Sequence, residues 1–173
     1  MKTMIIYDSK HGSTSHIAKM IGCELQFDVQ LSDIQEPISL SDDFNQIIFL
    51  APAYAGQLRK QAAAFLASHQ ETLLQKTLIL VNTGLQFSEE KIAQQLQAIF
   101  PAALREHAEL TAFAGSIIYP DKLNFFEKLI LKKIFHDQRL EFPRHETDHY
   151  LDKSALDSIV QALNEQEGRT YST

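Results

Sequence analysis

Two stretches of this chain, Ile47-Ile48-Phe49-Leu50-Ala51 and Leu78-Ile79-Leu80-Val81, are apolar at every position. Successive side chains of a strand point to opposite faces, so a strand with no polar face has to be covered on both sides. That requirement selects a parallel sheet flanked by crossover helices. Met4-Ile5-Ile6-Tyr7 opens the chain with a third such run, and Leu110–Tyr119, closed by Pro120, is a further strand. Phe27, Val29 and Leu31 alternate with Asp28 and Gln30, the pattern of an edge strand with one exposed face. Helical spacing fills the intervals: Ser13 to Ile21 with Gly22 as a stop, Leu58–Ser68, Glu89–Phe100 ended by Pro101, Asp121–Phe135, and Lys153–Leu163. The expected architecture is an α/β domain with a doubly wound five-stranded parallel sheet in the order 2-1-3-4-5 and an extra helix after strand five. No linker or repeat divides the 173 residues, so one domain is expected over 1–165, followed by a C-terminal tail, 166–173.

A net charge of -6 argues against a surface built to neutralise nucleic-acid phosphates, and no nucleic-acid partner is expected. The single cysteine, Cys23, cannot close an internal disulfide, and no His/Cys spacing suits a metal site. The apolar run at the start is shorter than a secretory signal requires, and no stretch approaches a membrane span. The expectation is a soluble protein of a reducing, cytoplasmic compartment.

In a sheet of this order, ligands sit beyond the carboxyl ends of the strands, beside the point where the winding reverses. The loop after the first strand reads Asp8-Ser9-Lys10-His11-Gly12-Ser13-Thr14 and enters a helix. Ser9, Ser13 and Thr14 offer hydroxyls, Gly12 permits a tight path, and the helix start leaves backbone N–H groups free, which together form an anion cradle. Serine and threonine also favour helix starts for capping alone, so a plain N-cap is the competing reading. The positive Lys10 and His11 are expected over solvent, favouring an anion without touching it.

Rival loops fail on spacing. Neither G-x-x-x-x-G-K-[ST] nor G-x-G-x-x-G is present. A phosphate-accepting Asp at the end of the third strand is replaced by Leu50-Ala51-Pro52, and Cys23 lies too far along to head the first loop as a phosphatase nucleophile. A monophosphate site, rich in hydroxyls and poor in glycine, is what these exclusions leave.

That loop resembles the [ST]-x-x-G-x-T phosphate loop of the flavodoxin family, with Ser9, Gly12 and Thr14 at its key positions. Two further loops agree with it: Ala51-Pro52-Ala53-Tyr54-Ala55-Gly56 after the third strand, and Asn82-Thr83-Gly84-Leu85 after the fourth. Within the family, the chain is most similar to the flavodoxin-like, menaquinone-dependent protoporphyrinogen oxidases. Val81-Asn82 and Gly115-Ser116-Ile117-Ile118-Tyr119-Pro120, leading into a lysine-bearing helix, carry that likeness. Those oxidases are strongly basic after the fourth strand, where this chain reads Leu85-Gln86-Phe87-Ser88-Glu89-Glu90-Lys91.

The resemblance implies FMN as cofactor and no catalytic side chain, since the flavin carries the redox chemistry. Its phosphate would sit on Ser9, Lys10, His11, Gly12, Ser13 and Thr14. The ring would lie between Ala53, Tyr54, Ala55 and Gly56 on one side and Asn82, Thr83, Gly84 and Leu85 on the other. Tyr54 can stack on the ring or pack on the following helix, and Phe87 can do the same or staple the helix that starts near Ser88. Asn-Thr-Gly is also ordinary turn chemistry. The function implied is an FMN redox protein acting in electron transfer or as a flavin-dependent oxidoreductase. The alternatives are a menaquinone-dependent protoporphyrinogen dehydrogenase of heme biosynthesis and a flavin-free interaction module. Partners would be a redox protein or a small-molecule acceptor such as a quinone.

Asp121–Phe135 interleaves eight large apolar residues with Lys122, Lys128, Lys132 and Lys133 against only Asp121 and Glu127. Its apolar face is wider than one-sided packing needs. It is read as a packed or dimer-forming element, with a membrane surface as the alternative role.

Overall fold

The computed structural model describes residues 2–170, and its sheet has the expected order. The edge strand β2 (Asp28–Asp33) lies beside β1 (Lys2–Tyr7), then come β3 (Gln46–Tyr54), β5 (Thr77–Thr83) and β6 (Leu110–Phe113). All of these pair in parallel. A two-residue strand, β4 (Gln57–Leu58), folds back antiparallel on the end of β3. The chain is therefore an α/β protein with a flavodoxin-like parallel sheet flanked by helices.

Alternation along the central strands produces two cores. Ile47, Phe49, Leu78 and Leu80 face one way, onto α2 (Lys60–Ser68), α3 (Gln70–Leu73), α4 (Glu89–Ile99) and α5 (Ala102–His107). Ile48, Leu50, Ile79 and Val81 face the other way, onto α1 (Ser13–Glu24) and α7 (Lys153–Thr170). The wholly apolar strands thus have no solvent face, as their composition requires. The helix α7 continues to Thr170, into the segment expected as a tail, and the remainder of that segment, 171–173, lies outside the described residues.

Two boundaries differ from expectation for local reasons. The helix expected from Leu58 begins at Lys60, because Leu58 pairs with Ala53 in the β3–β4 hairpin. The strand expected over Leu110–Tyr119 leaves the sheet after Phe113. Gly115, at φ 75°, turns the chain away, and a Cβ there would collide with the Tyr150 carbonyl. Residues 115–118 then bridge antiparallel to Leu151 and Thr147 rather than extending the sheet.

The excursion between β6 and α7 contains a short 3-10 turn (Pro120–Lys122) and α6 (Phe125–Asp137). Its root is an aromatic cluster: Phe135, fully buried, meets Phe87, Phe142 and Tyr150 edge-on at centroid distances of 6.1, 5.6 and 5.3 Å. Phe87 therefore packs against α6 in this cluster. Truncating Phe135 to alanine should cost about 3–5 kcal/mol in a urea unfolding measurement. A change confined to the surface range of about 0.5 kcal/mol would contradict this packing.

Candidate functional site

The three loops expected to share a site converge on one cavity. With a volume of about 420 Å³, it opens beyond the carboxyl ends of β1, β3 and β5, within the size range of small-molecule sites. Ser9, Lys10, His11, Ser13 and Thr14 line it from the first loop, Ala53, Tyr54, Ala55 and Gly56 from the second, and Thr83, Gly84 and Leu85 from the third.

The first loop is held open by its own hydroxyls. Ser9 Oγ accepts from the N–H groups of Gly12 and Ser15 at 3.2 and 3.3 Å, so it caps α1 from outside the helix. Ser13 Oγ accepts from the Ile117 N–H at 3.0 Å and meets Ser116 Oγ at 3.2 Å. The buried Thr14 hydroxyl shares a 2.8 Å hydrogen bond with that of Thr83. The N–H groups of Lys10, His11, Ser13 and Thr14, by contrast, have no acceptor among the described residues. Free donors at the start of a twelve-residue helix are what an anionic group requires. Gly12, at φ 92°, shapes this path from behind and does not line the cavity; a Cβ there would lie 3.1 Å from Lys122 Nζ.

Asn82 is the other expected residue that stays off the cavity wall. It is fully buried; its Nδ2 donates to the Ala51 carbonyl at 3.0 Å, and its Oδ1 accepts from Gln95 Nε2 at 2.7 Å. Its amide thus ties β5 to β3 and leaves Thr83 and Gly84 to face the site. Gly84 is itself pinned by a 2.9 Å bond from its N–H to the Gly115 carbonyl. In the second loop, Ala55 and Gly56 both have positive φ, 49° and 74°, the geometry of a type I′ hairpin turn. This turn carries Tyr54, which is 45% exposed at the cavity. Burial raises the Tyr54 pKa; the charges of Asp8 and Glu127 add to the rise, while Arg59 and Lys10 pull it down.

Beneath the hairpin, the fully buried Asp8 lies 3.0 Å from Arg59 Nη1. Neither Asp8 oxygen has a hydrogen bond, so the contact is an ion pair without hydrogen-bond geometry. Burial raises the Asp8 pKa, opposed by Arg59.

A fourth wall comes from residues not expected in the site. Ser116, Ile117, Ile118 and Tyr119 follow β6, and Leu123, Leu131 and Ile134 add an apolar side from α6 and its approach. The 115–120 segment stands out in the sequence for its likeness to the oxidases, and its place beyond the carboxyl end of a strand beside β5 is what brings it to the cavity. Lys10 and His11, expected over solvent, instead both reach Glu127 of α6, at 2.7 and 3.0 Å. Glu127 also completes a capping box with Asn124, and these contacts, led by the Lys10 bond, hold its carboxyl at about 2. A carboxylate whose folded pKa is depressed contributes stability above its unfolded value and loses it as pH falls through the folded one. The clasp should therefore add stability fully above pH 4.5 and lose it on the way down to about 2. Glu127→Gln should remove that part of the pH dependence of unfolding; identical wild-type and variant profiles across this window would contradict the clasp.

Comparison with known proteins places this geometry among relatives. Residues 4–142 match the model of a family described as the flavodoxin domain. No curated protein matches the chain. Among solved structures, a short-chain flavodoxin associated with a non-canonical PDU bacterial microcompartment is similar at a TM-score of 0.53 and 18% identity, over 77% of this chain and 99% of that one. Oxidised flavodoxin 1 from Bacillus cereus gives 0.49 at 15% identity, over 82% and 100% of the two chains. A flavoprotein in complex with FMN from Lactobacillus acidophilus NCFM gives 0.47 at 14%, over 65% and 92%. At such identities the likeness is one of fold.

Proposed function

The chain belongs to the flavodoxin domain family, and from that premise we propose that it binds FMN at the carboxyl ends of β1, β3 and β5 and serves in electron transfer. The observation that carries this reading is the set of four unpartnered N–H groups on Lys10, His11, Ser13 and Thr14, residues that line a cavity enclosed by two further family-like loops. A phosphate monoester suits that cradle: the donors are free, α1 adds its positive end, and Lys122 Nζ lies just beyond Gly12. The ring would lie between Ala53–Gly56 and Thr83–Leu85, with Tyr54 supplying an aromatic face. When bound, FMN supplies the capacity to take up and release electrons, and the protein supplies orientation and electrostatics. Asn82 would act at one remove, fixing the backbone of Thr83 and Gly84.

A second reading, a quinone-linked protoporphyrinogen dehydrogenase, is favoured by one feature. Leu123, Leu131 and Ile134 extend the cavity with an apolar wall beside the proposed ring site. Turnover of protoporphyrinogen with a soluble menaquinone analogue would establish it, and its absence in a flavin-loaded preparation would leave the electron-transfer role.

Purified protein should take up FMN and show a flavin absorption band, with FAD bound more weakly in calorimetric titration because the single cradle provides for one phosphate. Preference for FAD, or no flavin binding at all, would overturn the proposal and favour a flavin-free module. Ser9→Ala combined with Thr14→Ala should weaken FMN binding at least tenfold, since hydrogen bonds to a charged group are worth about 1.5–3 kcal/mol each. Unchanged affinity in the folded double variant would mean that these hydroxyls only shape the loop.

A further inference from the structure

We propose that the outward face of α6 is a peripheral membrane-docking element that seats the cavity on an anionic lipid surface. The helix is not loosely attached. Its inward side carries Leu131 and Ile134 on the cavity and Phe135 in the aromatic cluster, and Glu127 is clasped to Lys10 and His11. Yet Phe125, Phe126, Leu129 and Ile130 are 71, 73, 50 and 60% exposed. Of the seven exposed large apolar side chains among the described residues, these four occupy two consecutive turns of one helix. Scattered apolar residues need no explanation, whereas a contiguous patch on a rigid element marks an interaction surface.

Charge selects the occupant. Lys128, Lys132 and Lys133 stand on the same helix, and none takes part in an ion pair among the described residues; Lys133 is exposed, Lys128 half-buried, and Lys132 Nζ lies 5.8 Å from the centre of the Phe142 ring. The chain's net charge is -6, whereas Asp121–Phe135 carries four lysines against two carboxylates, so this segment is locally basic. Aromatic and aliphatic side chains on one face, with lysines able to extend past them, are the features of a helix lying in a headgroup layer. A second copy is a poorer occupant. A two-fold contact through this face would bring the lysines of both subunits into one interface, with like charges opposed. No helix among the described residues is long and apolar enough to cross a membrane, so the attachment is peripheral and salt-sensitive.

The geometry gives the docking a purpose. The lipid-facing and cavity-facing sides belong to the same thirteen-residue helix, so the cavity lies about 10 Å, one helix diameter, from the surface. A sparingly soluble reactant could then pass between membrane and cavity without crossing bulk water.

The test is sedimentation of the full chain with vesicles of phosphatidylcholine alone or mixed with phosphatidylglycerol. The wild type should sediment with the anionic vesicles at low salt, leave them at high salt, and ignore neutral ones. Lys128→Glu, Lys132→Glu and Lys133→Glu together should lower partitioning at least about a hundredfold. Phe125→Ser with Phe126→Ser should lower it at least about tenfold. Circular dichroism should match the wild type for both variants, and the unfolding midpoint should match for the phenylalanine variant, whose side chains are exposed; the lysine variant also loses the contact of Lys132 Nζ with the Phe142 ring at 5.8 Å. Wild-type protein that stays in the supernatant at low salt would overturn the proposal, as would a lysine variant that binds as well. So would a concentration-dependent mass, abolished by the phenylalanine variant and unaccompanied by vesicle binding, which would identify the face as a contact between copies. None of these readouts depends on flavin.

Discussion

One row of backbone pairing governs the rest of this molecule. Asp33, Tyr7, Leu50, Val81 and Ala112 stand side by side across the sheet, each in register with the next. Parallel pairing in this register makes β1, β3 and β5 end at one edge, so the three loops beyond them open into a common space. The wholly apolar strands maintain the register, because a one-residue slip would exchange the two cores. Asp8 extends the row by one hydrogen bond to the Leu50 carbonyl before the first loop departs. The donors of that loop can remain unpartnered because the sheet on one side and α1 on the other fix its ends.

The second determinant is the excursion between β6 and α7. Gly115 lets the chain leave the sheet against the Tyr150 backbone, and the aromatic cluster round Phe135 roots α6 on the domain. Glu127 then connects the excursion to the first loop through Lys10 and His11. The helix α6 is thus both a wall of the cavity and a brace for the proposed phosphate site. Its position is set by the same cations that an isolated loop would present to solvent. Lys122, aligned over the Tyr119 ring at 4.4 Å and close to Gly12, is left as the basic group nearest the cradle without a carboxylate partner among the described residues.

Much of this is legible in residue patterns, because the features concerned are local or periodic. The unbroken apolar runs at 47–51 and 78–81 dictate a sheet covered on both faces, and the half-polar 27–31 stretch belongs at its edge. Hydroxyls round Gly12 mark the loop, and twelve of the fourteen residues expected in the site line the cavity. The features that are not legible depend on contacts distant in sequence. Asn82 reads as a ligand donor until Gln95 and the Ala51 carbonyl are seen to hold it. Lys10 and His11 read as solvent-facing because Glu127 is more than a hundred residues away. The strand ending at Phe113 reads as running on to Tyr119 because nothing local shows that Gly115 abuts Tyr150. Likewise, helical spacing alone does not reveal that Leu58 closes a hairpin.

The central claim is that free backbone donors in the first loop receive the phosphate of FMN. Amide chemical-shift mapping tests it most directly, comparing FMN with riboflavin, which carries the same ring without phosphate. The account predicts that FMN moves the amide signals of Lys10, His11, Ser13 and Thr14, together with those of Ala53–Gly56 and Thr83–Leu85. Riboflavin should disturb only the second and third loops. Equal shifts for the two compounds in the first loop would contradict the account, as would shifts centred on the groove between α1 and α7 lined by Met20 and Val160.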